Sequence, residues 1–251
     1  MSGWLWPLLL AHRCGGAHAP ENTLAGLLVA ARLGCRAVEF DVMLSRDKVQ
    51  VLLHDETLMR TAGVPGAVPD LSAVQLQATD VGQHFHPAFG GEMIPTLEAA
   101  LAACRQLGLA ANVEIKPAVG LEAETGSVVG AQIQAMPADE CPAVLLSSFS
   151  AEALQAAAQR APGLPRALLV EGYSPESLVF ARQLGCVSLN MGLSGLEAVH
   201  VKAVLSAGLR VMVYTVNTQE AARRLVDWGV CGLFSDRPDL LRALDTEVRF
   251  R

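Results

Sequence analysis

The second half of the sequence alternates short β-type runs with amphipathic helical stretches. From residue 109 onward the runs are "LAANVEIK", "PAVLLSSF", "RALLVE", "CVSLNM", "RVMVYTV" and "GLFSD". Segments between them, such as "SAEALQAAAQRA" and "TQEAARRLVDWG", repeat apolar residues three and four apart, and Ser150 and Thr218 are suited to cap the helices. This alternation is typical of repeated βα units, whose strands form a parallel sheet.

The first half adds two strands of the same kind and one strand of a different kind. "WPLLLAHR" and "CRAVEFDV" flank a helix over "ENTLAGLLVAARLG", which brings the count of parallel strands to eight. The run "KVQVLLHD" follows the second strand after only four residues, 45–48. A parallel crossover needs about a dozen residues, so this run is predicted to form an antiparallel hairpin with the second strand.

These elements predict an α/β fold, a (β/α)8 TIM barrel, as a single domain over residues 1–251. A β-hairpin and a long lid-like excursion, residues 57–96 and rich in Gly and Pro, are expected at the C-terminal end of the barrel, with one short helical piece around "LSAVQLQA". A doubly wound open sheet is the alternative. Neither G-x-G-x-x-G nor G-x-x-x-x-G-K-[ST] follows any strand, so the usual nucleotide-binding motifs of that fold are missing.

Charge and cysteine usage restrict the partners and the compartment. The net charge is −6 and Lys and Arg form no cluster, which argues against a nucleic-acid partner. No apolar stretch approaches the roughly 18 residues of a membrane span, so no stable membrane association is expected. Six cysteines stand far apart without a C-x-x-C pair, a pattern that fits reduced thiols in a cytoplasm. The partner is expected to be a small molecule, and the protein a monomer or a homodimer.

The N-terminal segment raises the question of an export signal. Its apolar run precedes a small-x-small triplet, Ala17-His18-Ala19, which resembles a cleavage site. However, no basic region precedes the run, and Pro7 interrupts it. Cleavage there would also remove His12 and Arg13. We therefore interpret the segment as the first barrel strand and expect a cytoplasmic protein.

Charged residues cluster at the predicted C-terminal ends of the first strands, where barrel enzymes place their chemistry. His12 and Arg13 end the first strand, and His54 ends the hairpin. Two further pairs are spaced by two residues and so lie on one side of their strands: Glu39 with Asp41, and Glu114 with Lys116.

Burying three carboxylates in apolar strands is costly unless something compensates their charge. Each of them could pair with Arg13 or Lys116 in a structural salt bridge. All three at one end of the barrel favour a divalent cation instead, and oxygen ligands select Mg²⁺, Ca²⁺ or Mn²⁺.

Two histidines near a cation, an arginine and a lysine would suit a phosphodiester substrate. The cations neutralise phosphoryl oxygens, and two imidazoles can supply the base and the acid of a hydrolysis at neutral pH. Phe149, Tyr214 and Asn217 end later strands and are candidates to line the pocket. His84 and His86 are interpreted as surface or lid residues, and Cys14 lacks a recognisable base for a nucleophilic role.

At this point the motifs resemble those of a known family. In order, they are "AHRCGG", "APENTLAG", "VEFDVMLSRDKVQVLLHDETLMRT", "IPTLEAAL", "NVEIKP", "LLSSF", "VYTVN" and "GLFSDRPDLL". Together they are similar to the glycerophosphodiester phosphodiesterases, and most of all to the cytoplasmic bacterial enzymes. That family has a (β/α) barrel and hydrolyses deacylated phospholipids to an alcohol and sn-glycerol 3-phosphate.

The resemblance implies a role for each residue of the cluster. It makes His12 and His54 the catalytic histidines and Glu39, Asp41 and Glu114 the ligands of one divalent cation. Arg13 and Lys116 become phosphate contacts, and Phe149 is expected to contact the substrate. The family usually has glycine at the position of Cys14, and its R-T-x-N-G-x-G loop is degraded here at residues 60–66.

Several alternatives stay open at the level of the sequence. Either histidine could be the base, and the attacking hydroxyl could belong to the substrate or to water. A lysophospholipase D acting at the same site, or a catalytically silent phosphoester-binding barrel, are the rival functions.

Overall fold

The computed structural model describes the backbone of residues 6–249 and the side chains of residues 6–247. Its strands pair in one cyclic order. Their bounds are β1 Leu9–Ala11, β2 Ala37–Leu44, β3 Gln50–Leu52, β4 Ala110–Ile115, β5 Val144–Ser148, β6 Arg166–Val170, β7 Ser188–Gly192, β8 Arg210–Tyr214 and β9 Gly232–Ser235. The sheet runs β1-β9-β8-β7-β6-β5-β4-β2, and β1 pairs with β2, which closes the ring.

All pairings within this ring are parallel, whereas β3 pairs antiparallel with β2, Val42 opposite Leu52. The closed eight-stranded parallel barrel and the hairpin are therefore confirmed, and the open-sheet alternative is wrong.

Helices cover the outside of the barrel. The structure contains α1 Leu24–Arg32, α2 Met59–Ala62, α3 Ala73–Gln77, α4 Gly82–Phe85, α5 Leu97–Leu107, α6 Glu122–Ala135, α7 Ala151–Arg160, α8 Pro175–Gln183, α9 Ala198–Ser206, α10 Gln219–Asp227 and α11 Pro238–Arg249. Ser150 and Thr218 accept backbone N–H groups in the first turns of α7 and α10, as predicted. Within the described residues, no helix is both long and apolar enough to cross a membrane.

Strand alternation decides which side chains face the barrel interior. Val38, Phe40 and Val42 of β2 point outward and pack in the main hydrophobic core beneath the helices. Ala37 of β2 points inward and belongs to a small apolar cluster with Leu10 and Phe234 at the barrel floor. Because side chains alternate, Glu39 and Asp41 continue the inward row above Ala37.

The excursion is more helical than predicted. Besides α3, which covers the expected "LSAVQLQA" piece, it contains α2, α4 and two 3₁₀ turns, Val68–Asp70 and Pro87–Phe89. The prediction of one helical piece was therefore wrong, because helices of four or five residues are too short to produce a visible apolar period. The excursion packs on the hairpin through its own core, which joins Met43 and Val51 to Leu58, Leu76 and Ile94.

Helices α6 and α7 approach closely at Gly126. A Cβ atom at this position would overlap the carbonyl oxygen of Ala153. Glycine is therefore required here for packing, although it weakens the helix itself.

We expect Gly126→Ala to destabilise the protein by about 1–3 kcal/mol through overpacking, although alanine in a helix is normally favoured by about 1 kcal/mol. Urea unfolding would show this as a lower midpoint. Gly163→Ala, at a position with open space around the new Cβ, is the matched control and should leave the midpoint nearly unchanged. Equal midpoints for both variants would contradict the close packing of α6 on α7.

Candidate active site

Three inward-facing carboxylates meet at the C-terminal end of β2 and β4. One oxygen atom from each of Glu39, Asp41 and Glu114 lies within 4.8 Å of the others. The parallel register places Asp41 directly beside Glu114 on the neighbouring strand. The exposed fractions of the side chains are 4% for Glu39, 2% for Asp41 and 12% for Glu114. The structure thus brings together the cluster that the sequence predicted.

The cluster is electrostatically unfavourable as three bare anions. Burial, followed by the charge of Asp41, raises the pKa of Glu39 and of Glu114 above the usual range. Compensation by neighbouring cations is weak, because Arg13 Nε lies 3.9 Å and Lys116 Nζ lies 3.6 Å from Asp41, and Lys116 Nζ lies 3.8 Å from Glu114. These ion pairs are too long for good hydrogen bonds.

A metal ion fits the donors that these contacts leave free. The Oε1 atom of Glu39 is buried and has no hydrogen-bond partner. Buried polar atoms without partners are rare and call for an explanation. Three carboxylates with an unused buried oxygen match the ligand preference of Mg²⁺, Ca²⁺ or Mn²⁺. The cluster can therefore hold a metal ion.

The loop after β1 shapes one wall of the cluster. The backbone N–H of Arg13 donates to Glu39 Oε2 at 2.9 Å. Arg13 and Cys14 adopt left-handed φ angles of 49° and 74° to make this turn. Left-handed backbone at Cys14 explains why glycine would also suit that position. Cys14 itself is buried, which raises the pKa of its thiol and excludes it as an accessible nucleophile.

Asn22 fixes the orientation of Asp41. Its amide nitrogen donates to Asp41 Oδ2 at 2.9 Å, and its amide oxygen accepts the backbone N–H of Asp41 at 3.0 Å. Asn22 is buried and has a left-handed φ of 57°. No role for Asn22 was predicted from the sequence, although Asn22 lies in the motif "APENTLAG".

Each of the two histidines is anchored by a carboxylate. His12 Nδ1 lies 2.6 Å from Asp236 Oδ1, and His54 Nδ1 lies 2.6 Å from Asp55 Oδ1. A hydrogen bond at Nδ1 selects the tautomer and leaves Nε2 available for chemistry. Nε2 of His12 lies 3.8 Å from Glu39 Oε2, beside the carboxylate cluster.

The two imidazoles differ in their electrostatic surroundings. Burial alone would lower the pKa of His12, but the hydrogen bond that His12 Nδ1 donates to Asp236 and the charge of Glu39 outweigh burial, so the pKa is raised. For His54, burial dominates over the charge of Asp41 and the bond to Asp55, so its pKa is lowered. Asp236 is supported by the amide of Asn217 at 3.0 Å. Sequence reasoning assigned no role to Asp55 or Asp236, although both follow strands inside quoted motifs.

Two clefts and one small cavity adjoin the cluster. The larger cleft, about 550 Å³, is lined by His12, Arg13 and residues of the excursion that include Thr61, His84 and Phe85. A second cleft, about 350 Å³, is lined by Glu114, Lys116, Glu122 and Phe149 among others. The cavity, about 30 Å³, shares His12 with the larger cleft and Glu114 and Phe149 with the second, and Tyr214 also lines it.

The structure therefore places Phe149 and Lys116 beside the cluster. Phe149 packs edge-to-face on Tyr214, with ring centroids 6.0 Å apart. His84 contributes to the larger cleft, whereas His86 is exposed on the excursion. A lid movement of the excursion stays a prediction.

Fold and site together define a TIM barrel equipped for metal-assisted hydrolysis of a phosphodiester. Residues 12–240 match the model of the glycerophosphoryl diester phosphodiesterase family. A glycerophosphodiester phosphodiesterase of Caldanaerobacter subterraneus is 30% identical over 93% of this chain and 96% of its own length. The corresponding enzyme of Bacillus subtilis is 28% identical over 93% of this chain and 84% of its own length.

Solved structures agree with these relatives. A phosphodiesterase of Oleispira antarctica, in complex with its product sn-glycerol 3-phosphate, superposes with a TM-score of 0.90 and is 34% identical. The comparison covers 95% of this chain and 97% of that one. A glycerophosphodiester phosphodiesterase of Agrobacterium tumefaciens gives a TM-score of 0.75 at 28% identity, over 95% of this chain and 100% of its own. The chain belongs to the glycerophosphoryl diester phosphodiesterase family and is a phosphoric diester hydrolase.

We expect the carboxylate cluster to bind one divalent cation, and Glu114→Gln to weaken that binding at least about tenfold, because it removes one anionic ligand. Titration calorimetry of chelator-treated protein with Mn²⁺ measures this. Glu122→Gln removes a carboxylate from the adjacent cleft but not from the cluster, and should bind Mn²⁺ like the unmodified protein. Equal affinities for all three proteins would contradict the assignment.

Proposed function

We propose that the protein hydrolyses glycerophosphodiesters, the deacylated phospholipids, to an alcohol and sn-glycerol 3-phosphate at the carboxylate cluster. The observation that carries the proposal is the pair of histidines, each anchored at Nδ1 by a carboxylate, beside three buried acidic residues. Membership of the family supplies the substrate class.

Glu39, Asp41 and Glu114 would hold one divalent cation, Mg²⁺, Ca²⁺ or Mn²⁺. When bound, the cation would neutralise charge on the phosphoryl oxygens. Arg13 and Lys116 supply two further positive charges beside the cluster and would hold the remaining phosphate oxygens. Phe149 would contact the substrate from the smaller of the two clefts.

His12 and His54 would divide the proton transfers between them. One imidazole Nε2 takes the proton of the attacking hydroxyl, and the other donates a proton to the leaving alkoxide, so that the alcohol departs neutral. Asp236 and Asp55 keep Nδ1 protonated and so present Nε2 to the reacting oxygens. This division works equally for attack by water and for internal attack followed by opening of a cyclic phosphate.

Further proposals concern the whole chain. We propose one domain over residues 1–251, of which 1–5 and 250–251 lie outside the described residues. The excursion supports this proposal, because its core includes side chains of β2 and β3. We also propose a cytoplasmic location, supported by six cysteines that are all free thiols.

Replacing either histidine tests the proposed chemistry. We expect His12→Ala and His54→Ala each to lower kcat for glycerophosphocholine by about 10²–10⁴, because each removes a general acid or base. Release of sn-glycerol 3-phosphate is the measurement. His200→Ala is the control, since His200 in the first turn of α9 stacks on Tyr173 at a ring distance of 5.0 Å and lines none of the clefts described beside the cluster.

Unchanged turnover in His12→Ala and His54→Ala would contradict the site assignment. Turnover of lysophosphatidylcholine but not of glycerophosphocholine by the unmodified protein would move the function to a lysophospholipase D.

A further inference from the structure

Arg60, at the start of the excursion, lies between two carboxylates and binds each at two points. Its Nε and one terminal nitrogen donate to Asp55 at 2.6 and 3.1 Å. Its two terminal nitrogens donate to Glu21 at 2.7 Å each. Two-point pairing of this kind fixes both the distance and the plane of the carboxylate.

Each of these carboxylates also holds a residue of the site. The Asp55 carboxylate accepts the hydrogen bond of the His54 Nδ1–H group at 2.6 Å. Glu21 accepts two hydrogen bonds from a terminal nitrogen of Arg13, at 3.2 and 3.4 Å. Arg60 thus joins His54, on the hairpin side, to Arg13, on the β1 side.

Charge reinforces this geometry. The hydrogen bonds from Arg60 hold the pKa of Asp55 well below its usual range. Burial alone would raise the pKa of Glu21, but the hydrogen bonds from Arg60 and the charges of Arg13 and Arg60 outweigh burial, so the pKa is lowered. Both carboxylates are therefore anionic at neutral pH and can act as fixed acceptors.

We propose that Arg60 is a positioning residue, which orients the imidazole of His54 through Asp55 and the guanidinium of Arg13 through Glu21. The proposal rests on the proposed function for the roles of His54 and Arg13. It gives the excursion a part in catalysis, because α2 carries Arg60 to the site.

A purely structural role for Arg60 would be to tie the excursion to the barrel. Other contacts already do so: Glu92 of the excursion accepts the backbone N–H of Ala25 in α1 at 2.9 Å. Arg46 of the hairpin loop donates to the carbonyl oxygen of Asp70 at 3.2 Å. Arg46 is therefore a matched control, an exposed arginine that contacts the excursion away from the site.

A double-mutant cycle separates the two roles. Arg60→Met should lower the single-turnover rate on glycerophosphocholine by about 10–100-fold. Losses of this size are typical when a residue is removed that orients an active-site side chain through hydrogen bonds. In a His54→Ala background, at saturating substrate, the same change should lower the rate less than about threefold. The His54 arm is then already lost, and the Arg13 arm is expected to act on KM rather than on the saturated rate. Glu21→Gln should raise KM more than it lowers kcat, since Arg13 contacts the phosphate.

Arg60→Lys keeps the positive charge at this position, so the proposal can be tested even if Arg60→Met does not fold. A lysine ammonium cannot pair at two points with two carboxylates, so most of the rate loss should persist. Arg46→Met should leave the rate unchanged. An undiminished rate in Arg60→Lys, or an equal loss from Arg60→Met with and without His54, would overturn the proposal.

Nitrogen-15 NMR of the histidine rings tests the positioning step without turnover. We expect one tautomer, protonated at Nδ1, for His54 in the cation-free protein, and a mixture of tautomers in Arg60→Lys. His54→Ala assigns the signal. The same single tautomer in both proteins would refute positioning of His54 by Arg60 through Asp55, whether or not the protein hydrolyses glycerophosphodiesters. A failure of the proposed function would be seen separately, as no product from the unmodified protein.

Discussion

Mutual repulsion among Glu39, Asp41 and Glu114 is the constraint around which the site is organised. One oxygen atom from each of the three lies within 4.8 Å of the others at the end of a closed barrel, where the buried charges are poorly screened. Arg13, Lys116 and Asn22 contact the cluster, yet one oxygen of Glu39 keeps no partner. A divalent cation would satisfy the cluster better than the contacts among the described residues do, and once bound it would supply positive charge for a phosphate ester.

The alternation of the strands produces this arrangement from a simple pattern. Outward residues of β2 and β4 are apolar and pack under the helices, while the inward rows change from small residues at the floor to charged residues at the top. Closure of the ring brings His12, just after β1, beside Glu39 on β2, and Asp236, just after β9, beside His12. A site made from residues far apart in the chain therefore depends on the closure of the barrel, and the excursion adds Arg60 to it.

Much of this could be predicted from the sequence, because it follows from local patterns. Alternation gave the strands, a four-residue connection required the hairpin, and two-residue spacing placed Glu39 with Asp41 on one side. The supporting residues could not be found in that way. Asp236 and His12 are separated by 224 positions, and Arg60 and Glu21 by 39, so their contacts exist only in the folded chain. The short helices of the excursion are likewise stabilised by packing on the hairpin rather than by their own periodicity.

The most direct measurement of the central claim is a titration of chelator-treated protein with Mg²⁺, Ca²⁺ or Mn²⁺ that follows two properties in parallel, the rate of sn-glycerol 3-phosphate release and the thermal unfolding midpoint. A cation that binds the folded protein but not the unfolded chain must raise the thermal unfolding midpoint, and saturation of the cluster with that cation must restore activity. The account predicts that both rise with the same dependence on cation concentration. Full activity in excess chelator, or activation without any change in the midpoint, would contradict it.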